Sequence, residues 1–187
     1  MTTRPTTRAG AAPGWRAWLL LVLGLLAPLP RAATAQTSTE AQLKAAFLVN
    51  FFKYVEWPRG GSEYRLCLFG RSELWPHLAA YDGRQVAGRS LRVLRLNSPD
   101  EVRQCHQVFL PEGETARSAD LLSHTEGEAV LTVGEADGFL NAGGAILLSP
   151  RNGQMQFDIN TKALNLARLK VGSPMLRLAR SVKGQER

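Results

Sequence analysis

Histidine and cysteine are scarce in this sequence, and their scarcity limits the metal chemistry it can perform. The 187 residues include three histidines, His77, His106 and His124, and two cysteines. No histidine lies three or four residues from another histidine or from a cysteine, as paired metal ligands on a helix commonly do. Cys105 and His106 are adjacent, and adjacent strand residues point to opposite faces. The sequence therefore predicts no metal site.

The motifs of common hydrolases and nucleotide-binding proteins are also missing. The chain contains no G-x-S-x-G, no P-loop and no G-x-G-x-x-G. Its acidic residues are scattered, and nothing in their spacing marks a catalytic pair. A cysteine nucleophile with a distant histidine base is the remaining catalytic alternative, and a disulfide would exclude it. We expect neither an active site nor a cofactor, and keep an unrecognised enzyme as a third functional hypothesis.

An excess of basic charge is nearly absent from the main part of the chain. The formal net charge is +7, but Arg4, Arg8, Arg16 and Arg31 lie in the first 35 residues, which contain no acid. Beyond residue 35, 19 basic and 16 acidic side chains remain. No stripe of Lys and Arg with interleaved aromatic residues occurs there, so nucleic acid is not an expected partner.

The first 35 residues have the composition of a secretory signal peptide. Three arginines come before or at the start of a short apolar run, Trp18–Leu29, and the triplet Ala33–Ala35 fits the small-x-small rule for cleavage. The apolar run is too short to span a bilayer comfortably. We predict cleavage after Ala35, a mature chain that begins at Gln36, and a periplasmic location. An uncleaved anchor is the alternative.

Both cysteines, Cys67 and Cys105, lie in the predicted mature chain. An exported chain meets an oxidising compartment, and two cysteines allow a single pairing. A disulfide between them is one interpretation, and two reduced thiols buried in the core are the other.

The mature chain begins with a helical pattern that is apolar on two sides. Thr39 and Gln42 have capping-box spacing, and apolar residues then recur at helical spacing until Pro58 and Gly60–Gly61 end the pattern. We expect a surface that binds another protein, and its candidate residues are Leu48, Phe52, Val55 and Trp57. The alternative is that these residues belong to the core, with the helix packed between other elements.

Apolar runs and helix signals alternate through the rest of the chain. This alternation predicts an α/β fold of three layers, in which a mostly parallel sheet has helices on both faces. Asn152–Gly153 predicts a C-terminal hairpin that adds an antiparallel strand at one edge of the sheet, and two helices follow it. We expect a single domain over residues 36–187. The predicted strands are 64–69, 89–96, 108–110, 129–133, 145–148 and 155–159. Short helices are expected near 72–80, 116–122 and 137–141, and a further helix is expected to start at 98–101.

A crevice for a small molecule is expected where the first of these strands ends. Gly70, Arg71 and Ser72 turn from strand to helix, and backbone amides there could hold an anion together with the Arg71 side chain. Gly134 and Glu135 follow another strand, and the carboxyl ends of strands in an open α/β sheet form the usual ligand crevice. A periplasmic sensor of a small ligand is therefore the second functional hypothesis. An ordinary turn is the alternative.

Seven segments of the mature chain occur in an order that resembles a known family. With the signal peptide before them, they resemble the YfiR family of periplasmic proteins, and the resemblance covers essentially the whole mature chain. The segments are Ala45–Pro58, Leu66–Gly70, Gly88–Val93, Cys105–Leu110, Val130–Val133, Phe157–Asn160 and Leu176–Ala179.

The resemblance implies a regulator, and protein binding is therefore the first functional hypothesis. YfiR-like proteins bind the periplasmic sensory part of an inner-membrane diguanylate cyclase and hold it inactive, which restrains cyclic di-GMP signalling and biofilm formation. The resemblance further implies a homodimer, an outer-membrane lipoprotein that draws the regulator away, and a disulfide at Cys67 and Cys105. The sequence lacks the further cysteine pair that some members carry near residues 145–152.

Overall fold

The structure is a computed structural model that describes residues 32–58, 60–151 and 153–184. Residues 1–31, which hold most of the predicted signal segment, lie outside the described residues, and so does Asn152 of the predicted hairpin turn. Side chains are described from Thr39 onward.

The described residues form short helices and strands that alternate along the chain. The α-helices are α1 (Ala32–Phe51), α2 (Trp75–Ala79), α3 (Ser118–His124), α4 (Thr161–Leu166) and α5 (Ser173–Leu178), and 3₁₀ helices span Pro99–Gln104 and Glu112–Arg117. The strands are β1 (Val55–Glu56), β2 (Glu63–Phe69), β3 (Gln85–Val86), β4 (Arg89–Leu96), β5 (Gln107–Leu110), β6 (Leu131–Gly134), β7 (Ile146–Arg151), β8 (Gln154–Asn160), β9 (Lys170–Val171) and β10 (Ser181–Lys183).

Eight of these strands form one sheet in the order β10-β8-β7-β6-β5-β2-β4-β3. The five central strands of this order are β7, β6, β5, β2 and β4, and they pair in parallel. β8 is antiparallel to β7, and β3 is antiparallel to β4. The predicted fold class, a mostly parallel α/β sheet with a C-terminal hairpin, is confirmed. The chain passes from β2 to β4 on one side and then crosses to β5 on the other, so the strand order reverses at β2.

Two hydrophobic clusters fill the two faces of the sheet. Alternate residues of a strand point to opposite faces, and in β2 this sends Leu66 and Leu68 into one cluster and Cys67 and Phe69 into the other. The first cluster includes buried residues of α1, α2, α4 and α5. The second includes Val102 and buried residues of α3. The sheet is therefore the middle of three layers.

Helix α1 differs from its predicted extent at both ends. It begins at Ala32 rather than at Thr39, because three of the seven residues before Thr39 are alanine, which favours helix. It ends at Phe51 rather than near Pro58, because the next residues turn and form β1, which pairs antiparallel with β9. Near the end of the helix, the Gln107 side chain donates a hydrogen bond of 3.0 Å to the carbonyl of Leu48.

The C-terminal hairpin is present, but it lies one strand inside the edge of the sheet. The second closing helix ends at Leu178, and the chain then forms β10, which pairs in parallel with β8. The chain stays extended there because Arg180 and Ser181 both bind the Asp158 carboxylate of β8.

Residues 137–141 form turns rather than the predicted helix. Phe139 is 3% exposed, and a Cβ at either Gly134 or Gly144 would overlap its ring. The two glycines therefore make room for this aromatic side chain, and the backbone around it turns to place the ring against the sheet.

Candidate functional site

A cleft of about 340 Å³ lies at the carboxyl end of the central strands, where the strand order reverses. Residues of α1 and of the loops after β2, β5 and β6 line it, among them Glu40, Lys44, Arg71, Ser72, Gly113 and Glu135. The structure thus brings the predicted crevice residues Arg71 and Ser72 together with Glu135. Gly70 directly precedes them. Ligands of open α/β sheets bind at such reversal points, so this cleft is a candidate binding site.

Lys44 of α1 joins the helix to the carboxyl end of β6. Its Nζ lies 2.7 Å from Glu135 Oε2 and 3.4 Å from Glu40 Oε1. Burial acts to lower the pKa of the Lys44 ammonium, but the hydrogen bonds and charges of Glu135 and Glu40 outweigh it, and the pKa is raised. The ammonium is therefore charged at neutral pH, and it neutralises acids in one wall of the cleft.

A second carboxylate, that of Glu114, lies against the loop that follows β2. The backbone N–H of Arg71 donates to Glu114 Oε1 at 3.2 Å, and Arg117 Nη1 lies 3.5 Å from Glu114 Oε2. Gly70 has φ +71°, and a Cβ at that position would overlap the carboxylate. The sequence pattern identified this loop as a place for an anion but gave no sign that Glu114 would supply one.

The four residues predicted as a partner surface are buried instead. Leu48, Phe52 and Val55 are at most 3% exposed, and Trp57 is 9% exposed. The expectation that they form an exposed surface is wrong, and the core alternative describes their positions. A contact with a partner through these side chains would require the domain to open.

An aromatic cluster explains this burial. The ring centroid of Phe52 lies 5.1 Å from that of Trp57 and 4.8 Å from that of Tyr64. The Trp57 indole Nε1 donates a 2.8 Å hydrogen bond to the carbonyl of His106. The prediction of one continuous helix was wrong here, because Val55 and Trp57 lie beyond the end of α1. The chain folds back over the start of the sheet at this point.

An apolar groove that the sequence did not reveal lies beside β8. Its volume is about 380 Å³, and its apolar lining residues are Phe47, Met155, Phe157 and Leu178. We call it the Phe47–Leu178 groove. Leu178 is 68% exposed, whereas Phe47 is partly buried and packs edge-to-face against Phe157, with ring centroids 6.2 Å apart. Phe47 is one of the apolar residues of the helical pattern at the start of the mature chain. Only the fold shows that the elements around it leave it partly uncovered.

Cys67 and Cys105 form a disulfide, with their Cα atoms 6.0 Å apart. Both residues are fully buried. The bond joins the middle of β2 to the residue that follows the 3₁₀ helix Pro99–Gln104, in the hydrophobic cluster that includes α3. Disulfide pairing thus fixes this layer against the sheet.

Metal-ligand clusters and membrane-spanning helices are both absent from the described residues. No group of three or more His, Cys, Asp or Glu side chains in this part of the chain could hold a metal ion. Among the same residues, no helix combines the length and apolar character that a membrane span requires.

One protein-family model matches most of this chain. The model DUF4154, described as YfiR/HmsC-like, matches residues 41–180. No curated protein matches the sequence significantly.

Two solved structures resemble this fold at low sequence identity. One is an ABC domain from Streptococcus pneumonia in complex with L-Trp, with a TM-score of 0.53 and 14% identity over 74% of this chain. The other is a conserved domain protein from Vibrio cholerae O1 biovar El Tor, with a TM-score of 0.53 and 9% identity over 76% of this chain. The chain spans 60% of the length of each. At these identities the likeness concerns the fold alone.

Proposed function

The chain belongs to the YfiR/HmsC-like family, and on that premise we propose that it binds and represses the periplasmic sensory domain of an inner-membrane diguanylate cyclase. Repression lowers cyclic di-GMP signalling. The family is regulatory rather than catalytic, its members act with membrane diguanylate cyclases, and it points to a periplasmic location. The buried disulfide is in keeping with that compartment.

The observation that carries a binding role in this chain is the Phe47–Leu178 groove. Leu178 is exposed at one wall of an apolar cavity, which gives a partner both a groove to fill and a side chain to cover. Most binding energy in an interface comes from a few well-packed apolar or aromatic residues. The one arginine that lines the groove, Arg180, already binds Asp158. A partner therefore meets a largely apolar surface.

The chain contains a matched pair of exposed leucines for testing this surface. Leu178 of α5 lines the Phe47–Leu178 groove, whereas Leu166 of α4 lines a different, smaller cavity, and both are 68% exposed. The full chain is expressed with a C-terminal tag, recovered from the periplasm, and used to capture proteins from detergent-solubilised membranes. We expect wild type and Leu166→Asp to retain a membrane protein with a cyclase domain, and Leu178→Asp to lose it.

One control and two possible outcomes make this experiment decisive. Melting temperatures of both variants must stay close to that of wild type, because each change lies at an exposed position. Capture by Leu178→Asp at the wild-type level would exclude the groove as the interface. Failure of a folded wild-type chain to capture any cyclase under both oxidising and reducing conditions would contradict the repressor function itself.

A small-ligand sensor is the second candidate function, and the cleft of about 340 Å³ favours it. Small-molecule sites commonly have volumes of about 300–1,000 Å³, and this one lies at the reversal point of the sheet. A solved protein of similar fold was crystallised with a small ligand, L-Trp. Thermal unfolding of wild type in the presence of candidate metabolites tests the function, and Arg71→Ala should abolish any shift. A wild-type chain that responds to no metabolite would argue against it.

A further inference from the structure

The loop after β2 holds a carboxylate that the chain itself supplies. Gly70 is in the left-handed region, with φ +71°, and the space its missing side chain leaves is filled by the Glu114 carboxylate. The Arg71 N–H donates to that carboxylate, and the Arg117 guanidinium lies beside it. We call Gly70, the Arg71 N–H and the Arg117 guanidinium the carboxylate seat.

Glu114 belongs to a surface strap, the 3₁₀ helix Glu112–Arg117, which has no buried residue. The strap is tied to the ends of three strands. The Glu114 carboxylate binds the end of β2, the Glu112 N–H donates to Glu135 after β6 at 3.1 Å, and Arg117 Nη2 donates to the carbonyl of Asn97 after β4 at 2.8 Å. Its attachment to β2 consists of this carboxylate and of the Arg117 guanidinium, which lies 4.3 Å from the centre of the Phe69 ring.

The seat adjoins the cleft at the reversal point of the sheet. Arg71, whose N–H forms part of the seat, lines that cleft, and so does Gly113, the neighbour of Glu114. Glu114 and Arg117 do not line the cleft themselves, so an anion there reaches the Arg71 loop first and gains the seat only by displacing the Glu114 carboxylate. Hydrogen bonds between a carboxylate and charged or backbone donors are among the stronger ones in proteins.

We propose that the carboxylate seat is a binding site for the carboxylate group of a small carboxylic acid, with Glu114 as its built-in competitor. The ligand fills the cleft, takes the place of the Glu114 carboxylate and frees the Glu114 side chain from the end of β2. This inference rests on the second candidate function, because it names the chemical class of ligand that a sensor of this kind would accept.

Removal of the Glu114 carboxylate provides the test. Glu114→Ala leaves Gly70 and the two donors of the seat in place, and propionate carries the carboxylate group that the substitution removes. An internal competitor lowers the apparent affinity for a ligand by the fraction of molecules in which the seat is open. We expect Glu114→Ala to bind propionate at least about tenfold more tightly than wild type, with a saturable rise in melting temperature.

Matched controls separate seat occupancy from general effects of salt. Glu112→Ala removes an acid from the same strap at an exposed position and should behave like wild type. Propionamide has the shape of propionate without its charge and should not raise the melting temperature of Glu114→Ala. Adding Gly70→Ala to Glu114→Ala puts a methyl group into the seat and should abolish the response.

Two outcomes would overturn the proposal. One is a Glu114→Ala chain that is folded and does not bind propionate. The other is equal affinity for propionate in wild type, Glu114→Ala and Glu112→Ala. Failure of the sensor function is distinguishable, because the propionate experiment needs no physiological ligand, whereas the metabolite screen on wild type depends on one.

Discussion

His124 joins two elements of the outer layer through charged contacts. Its Nε2 lies 3.0 Å from an Asp100 carboxylate oxygen, and its Nδ1 lies 2.9 Å from the carbonyl oxygen of Asp120 and 3.5 Å from the Asp120 carboxylate. The hydrogen bond to the Asp120 carbonyl is the main cause of a raised pKa; desolvation opposes it, and the two carboxylates add to it. The charged imidazole therefore ties α3 to the 3₁₀ helix Pro99–Gln104.

His124→Gln should make the free energy of unfolding less dependent on pH. A raised folded-state pKa means that the stabilisation by His124 is fully present below the unfolded pKa of about 6.5 and is lost as the pH rises through the folded value. Urea unfolding of wild type and variant at pH 5.5 and pH 8 measures this. The free energy of unfolding of wild type should exceed that of the variant more at pH 5.5 than at pH 8. The side chain is close to solvent, so 0.5 M NaCl should reduce the effect. An identical difference between the two proteins at both pH values would contradict the prediction.

Phe52→Ala should destabilise the domain strongly. The side chain is 1% exposed and packs against Trp57 and Tyr64, and large-to-small changes at such aromatic positions cost about 3–5 kcal/mol. Tyr54→Ala is the matched control, because Tyr54 is an aromatic residue two positions away that is 37% exposed; its effect should stay within about 0.5 kcal/mol. Urea unfolding gives both values. A small loss for Phe52→Ala would show that this residue does not have the core role described here.

At the scale of elements, the sheet is the feature that the sequence predicted best, whereas the disulfide was one of two interpretations that the cysteines left open. Buried parallel strands read as short apolar runs, and Leu66–Phe69 and Val108–Leu110 are such runs. The α/β alternation allows these two strands to be neighbours but does not fix their order. In the structure they pair, and the pairing brings Cys67 close enough to Cys105 for a bond. The ends of α1 were harder to predict, because its apolar spacing continues through residues that tertiary pairing with β9 turns into a strand.

Removing the disulfide should lower the free energy of unfolding, because the unfolded chain gains conformational entropy when the crosslink is absent. The two cysteines are 38 residues apart, and a crosslink over such a loop contributes about 4 kcal/mol in the chain-entropy model. Cys67→Ala with Cys105→Ala tests this by urea unfolding. A reductant should destabilise wild type and leave the double variant unchanged. Detection of two free thiols in wild type purified from the periplasm would contradict the bond itself.

At the scale of the whole molecule, exposure was the property that the sequence could not supply. An apolar stripe on a helix indicates a buried face, but it does not indicate whether the same chain or a partner buries that face. Leu48 and Phe47 are adjacent in α1, yet Leu48 is fully buried and Phe47 lines an open groove. The difference depends on where α5 ends and where β10 begins, which are set by contacts with Asp158 far along the chain.

The distribution of charge over the molecule leads to a prediction about how it binds. Basic and acidic side chains are nearly balanced beyond residue 35, and Arg180 of the Phe47–Leu178 groove is neutralised by Asp158. Hydrogen bonds from Arg180 and Ser181 outweigh the effect of burial and hold the pKa of Asp158 below its usual value, so this neutralisation persists at neutral pH. Association through the groove should therefore depend on apolar contact rather than on charge.

Binding of the proposed cyclase domain should accordingly depend little on salt. Raising the ionic strength from about 0.1 M to about 1 M shortens the Debye length from about 10 Å to about 3 Å and weakens exposed charge pairs. We expect the Kd measured by titration calorimetry to change by less than about threefold over this range, because Arg180, the arginine that lines the groove, is already paired with Asp158. A tenfold loss of affinity at high salt would instead assign the interface to a charged surface. The apolar groove beside β8 would then lie outside that interface, and Leu178→Asp would have no effect on capture.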